Sequence, residues 1–240
     1  MAADPDPGPG SDALFGPVRA GNAFEETVQR LLTTIRLGVF NPGDRLPPER
    51  ALAAKLAVSR DTVREAIKSL CDAGYLEVRR GRSGGAVLLD RLPPPATDDP
   101  GISLERIDDA LRLREILEVG AARMAATRTL STGDRDGLAA RLREVRASRP
   151  QDYRRLDSRL HLAISEAAGS PSLVALVAEN RMLVNDLLNR IPLLVRNIRH
   201  SDDQHEQIVT AILDRDPAAA AAAMSDHLAG SAALLRGFLG

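Results

Sequence analysis

The chain has 240 residues, enough to bury two modest cores, and its 44% hydrophobic and 27% charged residues with a net charge of -1 are ordinary for a soluble globular protein. Near-neutral charge argues against a wholly basic nucleic-acid binder, and a lone cysteine, Cys71, excludes an internal disulfide framework and fits a reducing compartment. The opening MAADPDPGPGSDALFG lacks the basic start and apolar run of a signal peptide, and no stretch approaches a membrane span. A cytoplasmic protein with no membrane partner is expected. Aromatics are only 2% and Trp is absent, so the core must be built from Leu, Ala, Val and Ile, which favours helix over sheet.

In chain order, residues 1–16 are rich in Pro, Gly and Asp and are expected to be disordered. Domain one, residues 17–90, opens with a helix from about Ala23 to Gly38 that carries Val28, Leu31, Leu32 and Ile35 at helical spacing. NPGD makes a turn. A second helix starts near Pro48, placed as a first helical residue, and carries Leu52 and Leu56. Ser59 caps a third helix whose inner face is Val63, Ile67 and Leu70, and Gly74 ends it. YLEVRRGRSGGAVLL then reads as two short strands around a glycine-rich turn. Residues 91–101, with three consecutive prolines, form a semi-rigid linker. From 102 to 240 the periodicity is helical throughout, with helices near 103–130, 133–148, 150–168, 171–190, 201–215 and 217–238. Ser170-Pro171 and Asp216-Pro217 each place a capping residue before an N1 proline, and the short connections imply an antiparallel bundle. The fold class is therefore mainly α: a winged helix-turn-helix followed by a helical bundle.

Charge is unevenly placed. From Arg45 to Arg82 nine basic residues stand against five acidic ones, a local excess of +4. Arg60, Asp61, Arg64 and Lys68 lie along the outward side of the third helix, opposite its apolar face, as a recognition helix requires. Arg45 and Arg50 sit near the start of the second helix, where phosphate contacts would set the register. The run GDRLPPERALAAKLAVSRDTVREAIKSLCDAGYLEVRRGRSGG resembles the DNA-binding domain of the GntR-type bacterial transcription regulators. That resemblance implies a winged-helix homodimer on double-stranded DNA carrying a palindromic operator. It implies contacts at Arg50, Arg60, Arg64 and Gly81, helped by Arg45 and Arg80. Asp61 departs from the family pattern, which usually has a small polar residue there; an acid could instead accept a bond from cytosine N4.

The chain has four histidines. His161 follows Asp157 by one helical turn, at the edge of a stripe formed by Leu156, Leu160, Ala163, Ile164 and Ala167. A buried imidazole held by a carboxylate would account for that pair. His205 shares a face with Ile208, Val209 and Ile212, and His227 with Met224, Leu234 and Leu235; His200 falls at a loop-to-helix transition and is expected to be exposed. Three inward imidazoles from three helices are costly to bury separately, and convergence on one divalent ion removes that cost. Zinc suits such a set best, with nickel or manganese as alternatives. LRLREILEVGAARMAA, DSRLHLAI, QHEQIVTAI and DHL resemble the FCD effector domain of the FadR subfamily of GntR regulators. The resemblance implies metal ligation by Asp157, His161, His205 and His227. It also implies a small carboxylate effector completing the ion's coordination, paired with Arg114. Arg114 could equally be an intrahelical partner of Glu118, and Asn185 is a further candidate for the effector cavity.

The leading expectation is a non-enzymatic regulator, a repressor, whose operator affinity a carboxylate metabolite controls. Two rivals stand beside it. One is an architectural DNA binder with a purely structural metal. The other is a metal-dependent hydrolase fused to a DNA-binding head, for which Glu166 or Glu179 would have to act as general base.

Overall fold

A computed structural model describes residues 15, 17, 18, 20–36, 38–79, 84–93 and 103–239. Nearly all of the expected disordered segment 1–16, the wing residues Arg80 and Gly81, and most of the proline linker lie outside the described residues. The chain divides into two compact units, Met1–Pro100 with Ala233–Gly240, and Gly101–Ala232.

In the first unit a single 3-10 turn leads into α1 (Ala23–Arg36), followed by α2 (Glu49–Leu56), α3 (Arg60–Asp72), β1 (Leu76–Arg79) and β2 (Gly85–Leu88). Val28, Leu32, Leu52, Leu56, Val63, Ala66 and Leu70 are fully buried and knit the three helices together. The strands pair antiparallel, with Leu76 opposite Leu88 and Arg79 opposite Gly85. The segment before α2 extends this wing, since Arg45 bridges to Val87 and Leu46 N–H donates to Ala86 O at 2.9 Å. Local signals act where the sequence put them. Ser59 Oγ accepts from Thr62 N–H to cap α3, and Gly74 follows its end with φ +79°. Pro48 differs slightly: it is the residue preceding α2 rather than its first turn, because its ψ of 144° is extended.

The second unit contains α4 (Leu104–Thr127), α5 (Thr132–Arg146), α6 (Pro150–Ala167), α7 (Pro171–Leu188), α8 (Val195–Leu213) and most of α9 (Pro217–Leu239). Three starts are capped by serines 103, 131 and 170, and Asp216 Oδ1 accepts from Ala218 and Ala219 N–H at 3.1 and 2.9 Å. Ala122, Ala125 and Ala126 let α4 lie close to a core of Leu138, Val145, Leu160, Ile164, Ile208, Ile212 and Met224. Among the described residues no helix is long and apolar enough to cross a membrane.

Three expectations are corrected. Helix α8 begins at Val195 rather than near 201, so His200 lies inside a helix and is half-buried, not exposed at a transition. Leu194 supplies no side-chain cap, so nothing in the local sequence marks that start. The domain expected to run to 240 gives up its last eight residues to the first unit. There Phe238 meets Tyr75 edge-on with ring centroids 6.0 Å apart, and a Cβ on Gly237 would lie 3.0 Å from Gln29 Cα. Leu234, Leu235, Phe238 and Leu239 are buried, and glycine at 237 permits the close approach. Lastly, Asp157 and His161 are not at the border of the buried face of α6. They are buried with Tyr153, Leu160 and Ile164, while Leu156 and Ala163 form the half-buried border.

Candidate metal centre and nucleic-acid interface

Helix α6 carries Asp157 and His161 one turn apart, α8 supplies His205 and α9 supplies His227. All four are buried, and one ligating atom from each lies within 4.8 Å of the others. The imidazole centroids are 5.4 Å apart for His161 and His205, 5.1 Å for His161 and His227, and 4.4 Å for His205 and His227. Asp157 Oδ1 stands 3.2 Å from His205 Nε2 and 3.6 Å from His161 Nε2. Neither approach has hydrogen-bond geometry: His161 Nε2 and both nitrogens of His205 are buried without a partner. Orphaned buried nitrogens are costly, and a shared ion would satisfy them. The donor set, three imidazoles and one carboxylate, fits a divalent ion of the zinc and nickel type.

Around these four lies a charged layer that sequence reasoning missed. Arg181 of α7 is 2% exposed, and its Nη2 donates to Asp157 Oδ2 while its Nη1 reaches Glu118 Oε1 and Oε2 at 3.3 and 3.4 Å. Glu118 of α4 also accepts from Arg114 Nε at 3.1 Å and pairs through Oε2 with His161 Nδ1. Burial alone would push both carboxyls up. Instead His161, Arg114 and Arg181 hold Glu118 well below the usual carboxylate range, and Arg181 and His161 do the same for Asp157. Burial drives His227 well below the ordinary imidazole value, with His205 and His161 adding repulsion; burial also lowers His205 against the pull of Asp157. The only sequence signal for this layer was Glu118 at i+4 from Arg114. That intrahelical pair is present, and Arg114 Nη1 also donates to Ser231 Oγ at 2.8 Å. Asn185 donates from Nδ2 to Ser158 Oγ at 2.9 Å and leaves Oδ1 buried without a partner.

Depressed imidazoles give a signed expectation. His205 and His227 are neutral in the fold, so their contribution is complete above the unfolded imidazole pKa of about 6.5 and is lost as pH falls from there through their lowered folded values. Chelator-treated protein should therefore melt progressively lower as pH drops below about 6.5, at up to roughly 1.4 kcal/mol per pH unit for each imidazole. Melting curves across that range check it; a midpoint indifferent to pH would show that these rings are not held neutral.

The hydrolase reading finds no support here. Glu166 and Glu179 are both exposed, and the carboxylate that does stand beside the cluster, Glu118, is fully engaged by two arginines and His161.

On the first unit, Arg60, Asp61 and Arg64 are exposed on the first turns of α3, with Arg50 exposed on α2 and Arg45 at the base of the wing. Asp61 is the partner of Arg64: Arg64 Nη1 donates to Asp61 Oδ1 at 2.9 Å, and Nη2 to Glu49 Oε2 at 3.2 Å. An acid in the first turn of α3 also complements the helix dipole.

A three-helix head with arginines exposed on α3 and a two-stranded wing, joined in one chain to a helical unit built around a buried His/Asp cluster, has the organisation of a DNA-binding regulator. The family model for bacterial regulatory proteins of the gntR family matches residues 24–84, and that for the FCD domain matches residues 109–230. The chain is 35% identical over 206 residues to the Uxu operon transcriptional regulator of Escherichia coli K12, covering 79% of this chain and 77% of that protein. It is 29% identical over 211 residues to the Exu regulon transcriptional regulator of the same strain, with 85% and 81% covered. With that strain's Glc operon transcriptional activator the identity is 30% over 223 residues, covering 85% and 84%. The chain belongs to the gntR family, in its FCD-containing branch, and is a DNA-binding transcriptional regulator rather than an enzyme.

Proposed function

We propose that this protein is a cytoplasmic homodimeric repressor that releases a palindromic operator when a small carboxylate binds beside a metal ion in the FCD unit. The observation that carries the reading is the convergence of Asp157, His161, His205 and His227 with three orphaned imidazole nitrogens. Zinc is the first candidate, nickel and manganese the alternatives, and the ion would supply an electrophilic anchor for a carboxylate. Arg114 stands one helical turn from His227 through its bond to Ser231, close enough for its charge to act on that imidazole. From there it would fork onto the effector carboxylate. The unpaired Oδ1 of Asn185 favours an effector that also carries a hydroxyl. Only unequal binding to two arrangements of the dimer can shift operator affinity, and a coupling of roughly 1–3 kcal/mol suffices.

The partner in the dimer is a second copy docked on α4. Leu113, Ile116 and Met124 are 43%, 71% and 42% exposed, lie on one face, and flank Gly120, over which nothing sits. Arg112, Glu115 and Arg123 border that stripe, so two copies related by a twofold axis could pair opposite charges at its rim.

On DNA, Arg60, Asp61 and Arg64 would enter the major groove. Arg45 and Arg50 would hold phosphates, and the wing residues Arg80 and Gly81 would lie along the backbone or minor groove. Selection from a random duplex pool tests the operator: enrichment of an inverted repeat supports it, and no enrichment overturns it. Arg64→Ala should then weaken binding to the selected sequence by about 10–100-fold and flatten its salt dependence, with the bundle still folded. Unchanged affinity in a gel-shift titration would remove α3 from the interface.

Melting of zinc-loaded protein against a panel of small carboxylates, repeated after chelation, tests the effector. Acids that raise the midpoint only with metal present support the reading. Chelator sensitivity with no acid effect would favour the architectural binder with a structural metal.

A further inference from the structure

Of the three proposed imidazole ligands, His161 alone has its remote nitrogen against a carboxylate: Nδ1 meets Glu118 Oε2, while His227 Nδ1 faces the neutral Gln204 Oε1 at 3.2 Å and His205 makes no hydrogen bond through either nitrogen. Glu118 is itself held from two sides. Arg114 Nε grips Oε1 at 3.1 Å, and Arg181 Nη1 lies 3.3 and 3.4 Å from Oε1 and Oε2. Its side chain is 2% exposed, so water does not compete for these bonds. A carboxylate so placed can only accept, which keeps a proton of His161 on Nδ1. The opposite nitrogen, Nε2, is then the one left for an ion, and it is buried without a hydrogen bond, 3.6 Å from Asp157 Oδ1.

We infer that Glu118 is a positioning residue of the metal centre: by accepting the Nδ1 proton of His161, it presents Nε2 unprotonated to an ion shared with Asp157, His205 and His227. This rests on the metal reading above. The two arginines serve Glu118 in turn, because they neutralise and orient it without offering His161 a competing acceptor. Arg181 does the same for Asp157, occupying Oδ2 so that Oδ1 faces the imidazoles.

A simpler role, counter-ion to Arg114 and Arg181, would make Glu118 matter for stability but not for the ion. Zinc titration of the full-length chain against a chromophoric chelator separates the two. Glu118→Gln should weaken zinc binding by about 10–100-fold, because the amide is a poorer acceptor and can turn its NH2 toward Nδ1 and impose the wrong tautomer. Equal zinc affinity in Glu118→Gln and wild type would overturn the inference and leave the metal reading standing; wild type that takes up no zinc, or takes it up as well after His161→Ala, would overturn the metal reading itself. A second measurement reads the wild type and does not depend on how Glu118→Gln folds. Long-range proton–nitrogen spectra of the zinc-loaded wild type, with His161 assigned by His161→Gln, should show its proton on Nδ1 and the ion on Nε2. The reverse assignment refutes the role of Glu118.

Discussion

Replacing Arg181 with methionine should cost the metal-free protein about 3–5 kcal/mol of stability, the range for breaking a buried ion pair by removing one partner. Arg181 is the cation shared by two buried carboxylates, donating to Asp157 Oδ2 and Glu118, and both are held well below the usual carboxylate range partly by its charge. Methionine fills a similar volume but leaves Asp157 facing only imidazoles, of which His205 is neutral by burial. Asp157 must then stay charged without a strong partner or take up a proton. Zinc should restore part of the loss in the variant, because a divalent ion beside Oδ1 supplies the missing positive charge. Urea unfolding with and without zinc measures both effects. A variant as stable as wild type without metal would mean that the pair is not compensating buried charge.

Ile116→Glu should convert the protein to a monomer and lower its affinity for a palindromic operator by about 10²–10⁴-fold, the gain that linking two weak sites confers. Ile116 is the most exposed large apolar residue among those described, and in the proposed dimer a glutamate there would face its own twin across the twofold axis. The change lies on the solvent side of α4, away from the buried face bearing Arg114 and Glu118, so zinc affinity and helix content should hold. Light scattering after gel filtration gives the mass, and titration of the selected duplex gives the affinity. A variant still dimeric at micromolar concentration would move the interface elsewhere.

The charge count around the cluster bears on what it binds. Glu118 and Asp157 balance Arg114 and Arg181, and burial keeps His205 and His227 from adding charge. An incoming divalent ion therefore leaves an excess of two positive charges in a buried site, which favours anionic ligands over neutral ones of the same shape.

How far the sequence reached depended on the range of the interactions. Ser59, Gly74, Ser170 and Asp216 act within a turn of their own position, so the helix ends they mark were readable from neighbours alone. Helix α8, which starts at Val195 with no side-chain cap from Leu194, left no such mark. The buried Asp157/His161/His205/His227 cluster was legible because each histidine shares a helical face with apolar residues, and an imidazole on a buried face needs a reason to be there. The charged layer was not: Arg181 sits in α7 among leucines and valines at no informative spacing from Asp157 or Glu118, and a lone arginine in a helix reads as solvated.

By itself, then, the sequence determined the order of the helices and strands, the capped helix ends, and which side chains carry ligating chemistry, since all three follow from local spacing and capping. Only the tertiary structure decided that Arg181 and Glu118 close around those ligands, that the final turns of α9 pack beside Tyr75, and that Arg64 rests on Asp61 and Glu49. The reason is physical. Two of the three depend on residues far apart in the chain meeting in a low-dielectric interior, and the third on exposed side chains choosing among several charged neighbours.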